Sequence, residues 1–255
     1  MKKLFIFMII IIPMSSCSHQ SDSTELTISA AASLTNVMEE IVDLYEEKEA
    51  IRITINLGGS GSLSEQIIQG APADVFLSAS TDKFQRAVDA GSIDTSTIRP
   101  LLSNQLVWIQ RKDTQHQSLA SLEKIAIGIP ASVPAGYYAK QALVNADIYQ
   151  SIQSKIVQTK DVRQVVQYVQ SENVDVGIAY QTDAMQFQDI AINHQLPLGD
   201  YSDIIYPVGI TQQAQNREAA EKFLAFLQTD QVQQIFQKYG FSTVGEVDGS
   251  LFSTD

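Results

Sequence analysis

From Leu26 to Tyr239 the chain switches repeatedly between two hydrophobic periods, and few folds accommodate that alternation. Residues 26–28 open a strand, and Leu34, Val37, Met38, Ile41, Val42 and Tyr45 then recur at the spacing of one helix face. Ile51, Ile53, Ile55 and Leu57 alternate with Arg52, Thr54 and Asn56, the period of a strand. A Gly-Ser turn leads to a short helix over 63–69, stopped by Gly70. A buried strand over 75–77 and a helix over 83–90, closed by Gly91, complete this half. The second half repeats the rhythm, with strands at 106–109, 125–129, 176–179 and 204–210. Helices are expected over 137–144, with Pro134 at or just before the start, along the face of Val162, Val165, Val166 and Val169, and over 218–227 and 232–239. Strand and helix in turn predict an α/β fold, mostly parallel sheets flanked by helices. At 255 residues the chain suits one large domain or two lobes of roughly 100–130 residues each.

The first seventeen residues stand apart. Lys2 and Lys3 precede an unbroken apolar run over 4–12, and Pro13-Met14-Ser15-Ser16 leads into Cys17, the only cysteine. The run is shorter than the roughly 20 residues needed to cross a bilayer, so 1–16 reads as a signal peptide. Small residues ahead of a lone cysteine resemble the lipobox of bacterial lipoproteins, with Cys17 lipidated, although Met14 departs from the usual aliphatic residue. A plain secretory signal with an incidental cysteine is the alternative, and both export the protein. The polar stretch that follows suits a tether over 17–24.

Lys2 and Lys3 are the only charges before Cys17, so the mature chain keeps fifteen basic residues against 29 acidic ones, a formal charge of −14. That balance argues against nucleic acid and anionic membranes as partners, since both are bound mainly by basic patches. An anion would have to be held by local dipoles and hydrogen bonds. A single cysteine also rules out a disulfide framework within the chain.

Ligands on open α/β sheets collect at the carboxyl ends of strands, and several strand-to-helix junctions have suitable chemistry. In Ala30-Ala31-Ala32-Ser33-Leu34-Thr35-Asn36, small residues let a ligand approach the backbone, and Ser33 is either a ligand donor or an N-cap. In Leu57-Gly58-Gly59-Ser60-Gly61-Ser62-Leu63-Ser64-Glu65, the glycines free the backbone to present N–H groups. Ser62 and Glu65 fit a capping box there, which would leave Ser60 to face a ligand; a flexible loop explains the stretch equally well. It is neither a P-loop nor a nucleophile elbow. Val133-Pro134-Ala135-Gly136-Tyr137-Tyr138 again exposes amides at a helix start, and Gly177-Ile178-Ala179-Tyr180 ends a strand on a hydroxyl. Enzymatic patterns are weaker. His19, His116 and His194 lack metal-ligand spacing, no serine sits in a recognisable nucleophile motif, and Glu46, Glu47 and Glu49 read as a solvated helix end.

These segments carry a resemblance. The stretches 30–36, 69–76, 133–140, 176–180 and 236–241 are similar to signature segments of the molybdate-binding proteins of bacterial molybdate ABC transporters, over about 26–241. The resemblance implies a two-lobe periplasmic-binding-protein-like fold with the ligand in the interlobe cleft, lobe 1 being 25–104 plus 206–255 and lobe 2 105–205. It implies a monomeric, lipid-anchored extracytoplasmic protein, not an enzyme and without cofactor, that passes molybdate and tungstate to the permease of an ABC transporter. By position, the oxyanion would be held by the hydroxyls of Ser33, Ser60 and Tyr180 and by amides of Ser33, Ser60, Ala135 and Val162, with no direct cation site. The Gly58-Gly59-Ser60-Gly61 turn is poorer in serine than in many relatives. A donor-only pocket without a carboxylate suits a fully deprotonated dianion, and it should disfavour monohydrogen phosphate, whose proton would lack an acceptor. A sulfate or other oxyanion binder on the same scaffold is the alternative; an exported hydrolase or a regulator's sensing domain lacks any motif.

Overall fold

The structure, a computed structural model, describes residues 24–114, 118–197 and 199–244. The signal peptide, Cys17, His19 and His116 lie outside the described residues. β1 (Thr24–Ala31), α1 (Thr35–Lys48), β2 (Ile51–Gly58), α2 (Ser60–Ile68), β3 (Val75–Leu77), α3 (Thr81–Asp89) and β4 (Arg99–Asn104) follow in order. After β4 the chain leaves for a second sheet. β5 (Leu106–Arg111), β6 (Ile125–Gly128), α4 (Pro134–Asn145), α5 (Tyr149–Ile152), β7 (Ile156–Thr159), α6 (Val162–Gln170), β8 (Val176–Tyr180), α7 (Gln181–Met185) and β9 (Ile190–Gln195) belong to it. It then returns through β10 (Ile204–Ile210), α8 (Arg217–Leu227), α9 (Asp230–Lys238) and β11 (Ser242–Thr243).

Two sheets result, a six-stranded one in the order β11-β4-β10-β3-β1-β2 and a five-stranded one in the order β7-β6-β8-β5-β9. The sheets are mixed. β1 pairs in parallel with β2 and β3, and β6 with β7 and β8, whereas β10 and β5 run antiparallel to their neighbours. The expected parallel units are therefore present at one side of each sheet. The strands around the two crossovers reverse direction, and hydrophobic period alone carries no sign of that.

Strands at β4, β7, β9 and β11 were absent from the sequence reading. β7, β9 and β11 are sheet edges, where polar residues such as Gln158, Asn193 and His194 blur the alternation. Pro100 interrupts β4 and stands beside an irregularity in its pairing with β10. The alternation of β2 holds for Ile51, Ile53 and Ile55, half-buried against α1 and its neighbours, but Leu57 is exposed. β1 begins at Thr24, one residue inside the expected tether, and β10 joins the larger sheet from Ile204.

The helices pack as their periodicity predicts. Val37, Met38, Ile41, Val42 and Tyr45 form the buried face of α1, and the Tyr45 ring meets Phe223 of α8 edge-on at 5.2 Å. Val162, Val165, Val166 and Val169 bury the matching face of α6. Each such side chain removed from water contributes about 1.5–3 kcal/mol. The parallel strands of both sheets thus end on helix starts fixed by apolar packing behind them.

Candidate functional site

Four of those helix starts meet in one place. Ser33 lies in a single 3-10 turn, Ala32–Leu34, between β1 and α1. Ser60 is the first residue of α2, Ala135 the second of α4 behind Pro134, and Val162 the first of α6. Amides in a helix's first turn have no partner within the helix and carry a partial positive charge, so each start is a donor site for an anion. Tyr180 closes β8. All five residues line a single cavity between the two sheets, together with Ala31, Gly58, Gly59, Ala79 and Asp161. The centre of a water-sized sphere finds about 10 Å³ of room there, the scale of a single small guest and too little for an organic ligand.

Glycines make the convergence possible. A Cβ on Gly136 would sit 1.9 Å from the carbonyl oxygen of Gly128, so only glycine lets the start of α4 rest on the end of β6. A Cβ on Gly61 would come within 2.7 Å of the Ser132 carbonyl oxygen. Instead the Gly61 amide donates to that oxygen at 3.0 Å, a backbone bond across the cleft.

The hydroxyls are wired as donors. Asn104 Nδ2 donates to Tyr206 Oη at 3.1 Å and to Thr182 Oγ1 at 2.8 Å, while its Oδ1 accepts the Gln105 amide. Ser33 Oγ lies 3.0 Å from Tyr206 Oη, a bond that either hydroxyl can donate; in the sense that suits an anion, Tyr206 donates. That leaves the Ser33 proton for the cavity. Ser60 Oγ accepts the Ala79 amide at 2.9 Å and likewise keeps its proton to give. Tyr180 Oη donates to the Ala79 carbonyl across a long 3.5 Å, a bond easily exchanged for a better acceptor. Burial, reinforced by neighbouring tyrosines, pushes the Tyr180 hydroxyl well above its ordinary pKa, and burial also raises Tyr206. Both stay protonated donors.

Among the described residues, no Lys, Arg or His lines the cavity. Asp161 is the one acid in the wall, contrary to the carboxylate-free pocket expected from the sequence. Its Oδ1 caps α6 by accepting the Gln164 amide at 2.9 Å, which spends that oxygen on the helix start. Behind Tyr180, Asp183 is buried with Oδ2 unpartnered, and burial pushes its carboxyl up to about 7. Among the described residues no group of His, Cys, Asp and Glu could hold a metal ion.

Sequence reasoning named five of the lining residues and misjudged parts of their setting. Ser33 caps no helix; its hydroxyl goes to Tyr206. The Ser62–Glu65 capping box does not form, because α2 starts three residues earlier than predicted with Gly59 as N-cap, and Glu65 pairs with Arg86. Ala79 was missed, although Leu77-Ser78-Ala79-Ser80 repeats the pattern of a strand ending in small residues. Asn104 and Tyr206 were missed for a different reason: they meet only because both crossovers pass the same point.

A sequence profile of the family "Bacterial extracellular solute-binding protein" matches residues 26–242. The chain belongs to that family. It is 42% identical over 238 residues to YvgL of Bacillus subtilis, assigned by name to the ABC-transporter substrate-binding lipoproteins, covering 89% of this chain and 92% of the relative. It is 32% identical to the molybdate-binding protein ModA of Escherichia coli, covering 87% and 90%. Among solved structures, the substrate-binding domain assigned to a molybdenum ABC transporter of Clostridium difficile superposes with a TM-score of 0.68 at 36% identity, covering 88% and 100%. The periplasmic molybdate-binding protein of Azotobacter vinelandii gives 0.77 at 21% identity, covering 85% and 98%, a likeness of fold. The protein is thus an extracytoplasmic solute-binding protein of the ModA-like, molybdate-binding family of ABC transporters, with the two-lobe fold. Such proteins bind and deliver; they are not enzymes.

Proposed function

We propose that this solute-binding protein captures molybdate, and tungstate equally, in the cavity at Ser33, Ser60, Ala135, Val162 and Tyr180, and presents it as a monomer to a membrane permease. The observation that carries the reading is the convergence of four helix starts and three hydroxyl donors on a space for one small guest, with no basic residue in the wall. A dianion that only accepts hydrogen bonds matches such a wall. Neutral donors can hold it because their dipoles are fixed before it arrives. Monohydrogen phosphate brings a proton, and the Asp161 carboxylate could accept it only through Oδ2, because Oδ1 caps α6; a thermal-shift panel tests that ligand directly. Sulfate carries the same charge and shape in a smaller body, so the fit of the wall decides against it. We place lobe 1 at 25–104 plus 206–255 and lobe 2 at 105–205, with the signal peptide removed and Cys17 lipidated to hold the protein at the outer face of the membrane. The lipoprotein in the name of the Bacillus relative supports the anchor.

The test is a thermal-shift panel on exhaustively desalted mature protein with molybdate, tungstate, sulfate and phosphate. A ligand at 100 times its Kd adds about 2.7 kcal/mol, which at this length raises Tm by roughly 5–10 °C. The expected result is a shift with molybdate and tungstate alone. A shift with sulfate alone would move the protein to sulfate uptake, and no shift in folded, ligand-free protein would overturn the oxyanion reading.

A further inference from the structure

Beside the cavity, Arg163 reaches across the cleft. Arg163 is the second residue of α6, next to Val162, and its Nη1 donates to Oδ1 of Asn36 on α1 at 2.8 Å. Asn36 follows Ser33 by three residues. The bond therefore joins two of the helices whose starts face the cavity, one packed on each sheet. Asn36 is held from both sides, since its Nδ2 donates to Oε1 of Gln186, beyond α7, at 3.3 Å. Turning the amide over would set its NH₂ group against the guanidinium, so the two bonds fix one orientation. On its own lobe the Arg163 guanidinium lies 5.9 Å from the centre of the Phe187 ring, and its charge acts on the buried Asp183. The side chain is thus supported from the lobe that carries it, before it meets Asn36.

The position is unfavourable for the helix alone. A cation in the first turn opposes the helix dipole, where an acid would stabilise it. Retention of an arginine there is explained by what it reaches.

We propose that Arg163 is the latch of the closed cleft: a positioning residue that does not touch the ligand and that, through Asn36, holds the starts of α1 and α6 together once an oxyanion lies between them. This rests on the oxyanion reading above. Opening the lobes must break the Arg163–Asn36 and Asn36–Gln186 bonds, so the latch acts on release. Ligand entry precedes its formation and is unaffected.

The experiment measures molybdate association and dissociation by stopped flow in the mature protein, in Arg163→Met, in Asn36→Ala and in the double variant, with the unliganded melting temperature of each as the control for folding. Dissociation is expected to quicken about ten-fold or more in either single variant, association to stay within two-fold, and the double variant to be no worse than the poorer single one. Unchanged dissociation in both single variants, additive effects, or a loss confined to association would overturn the latch. If the wild type binds none of molybdate, tungstate and sulfate, it is the oxyanion reading that fails. The latch is then decided by the interlobe distance between spin labels at Asp89→Cys and Val144→Cys, with Cys17 replaced. Arg163→Met should shift that distribution to longer distances, and an unchanged distribution overturns it.

Discussion

Ser60, on a helix of one lobe, and Tyr180, at a strand end of the other, meet at the same residue, Ala79, whose amide donates to the first and whose carbonyl accepts from the second. Their removal should therefore have different consequences. Tyr180→Phe gives up the long bond to the Ala79 carbonyl and the hydroxyl's interaction with Tyr206, so stability should change little while molybdate affinity falls roughly ten- to hundred-fold, the worth of a hydrogen bond to a charged acceptor. Ser60→Ala loses a similar share of affinity and also strands the buried Ala79 amide, which costs about 1–3 kcal/mol of stability. Calorimetric titration with paired melts separates the two, and unchanged affinity in both variants would remove these residues from the site. Asp183 supplies a pH effect. Its folded pKa of about 7, raised by burial, lies above the ordinary value near 4, so the folded state keeps the proton longer than the unfolded one. Stability contributed by this group is then full below about pH 4 and declines as pH rises towards 7, by up to roughly 4 kcal/mol. Asp183→Asn should flatten the fall in Tm between pH 5 and 8; an equal slope in both proteins would contradict the assignment. Ser33, Ser60 and Ala135 were legible in the sequence because small residues before a helix start are a local pattern. Asp183 was not, because its burial and missing partner are properties of the packed wall.

At the scale of elements, the site depends on how closely helix starts approach strand ends. Gly136 rests against Gly128 so tightly that any side chain must displace backbone. Gly136→Ala should therefore move the start of α4 off β6 and cost several kcal/mol of stability. The Ala135 amide would leave the cavity with it, and molybdate binding would be lost. A melt within a degree or two of wild type, with binding intact, would contradict this. Helix existence and helix faces were readable because the apolar residues of α1 and α6 repeat at helical spacing. Helix starts were read two or three residues late in α2 and α3, where serine, threonine and small residues precede the first apolar position, whereas Pro134 marked the start of α4. The error falls on turns that line the cavity, because those turns have small residues and hydroxyls in place of an apolar stripe. Edge strands such as β9 escaped for a related reason, since a strand with one wet face and one free edge is under little pressure to alternate.

For the molecule as a whole, the central claim is that two sheets of acidic, exported protein enclose an anion using dipoles alone. The net charge of the mature chain opposes any anion at long range, and the cavity overcomes this locally with fixed donors and no basic wall. The two-lobe arrangement itself was legible only through resemblance. Period and composition gave an α/β chain of sufficient length, whereas the crossovers at Asn104–Leu106 and before Ile204, which bring Asn104 and Tyr206 behind Ser33, are long-range facts. The measurement that tests the claim most directly is anomalous diffraction near the molybdenum absorption edge, on crystals of the desalted mature protein grown with molybdate. The account predicts one strong anomalous peak enclosed by Ser33, Ser60, Ala135, Val162 and Tyr180. A well-ordered cleft without that peak, or a peak held by other residues, would contradict it.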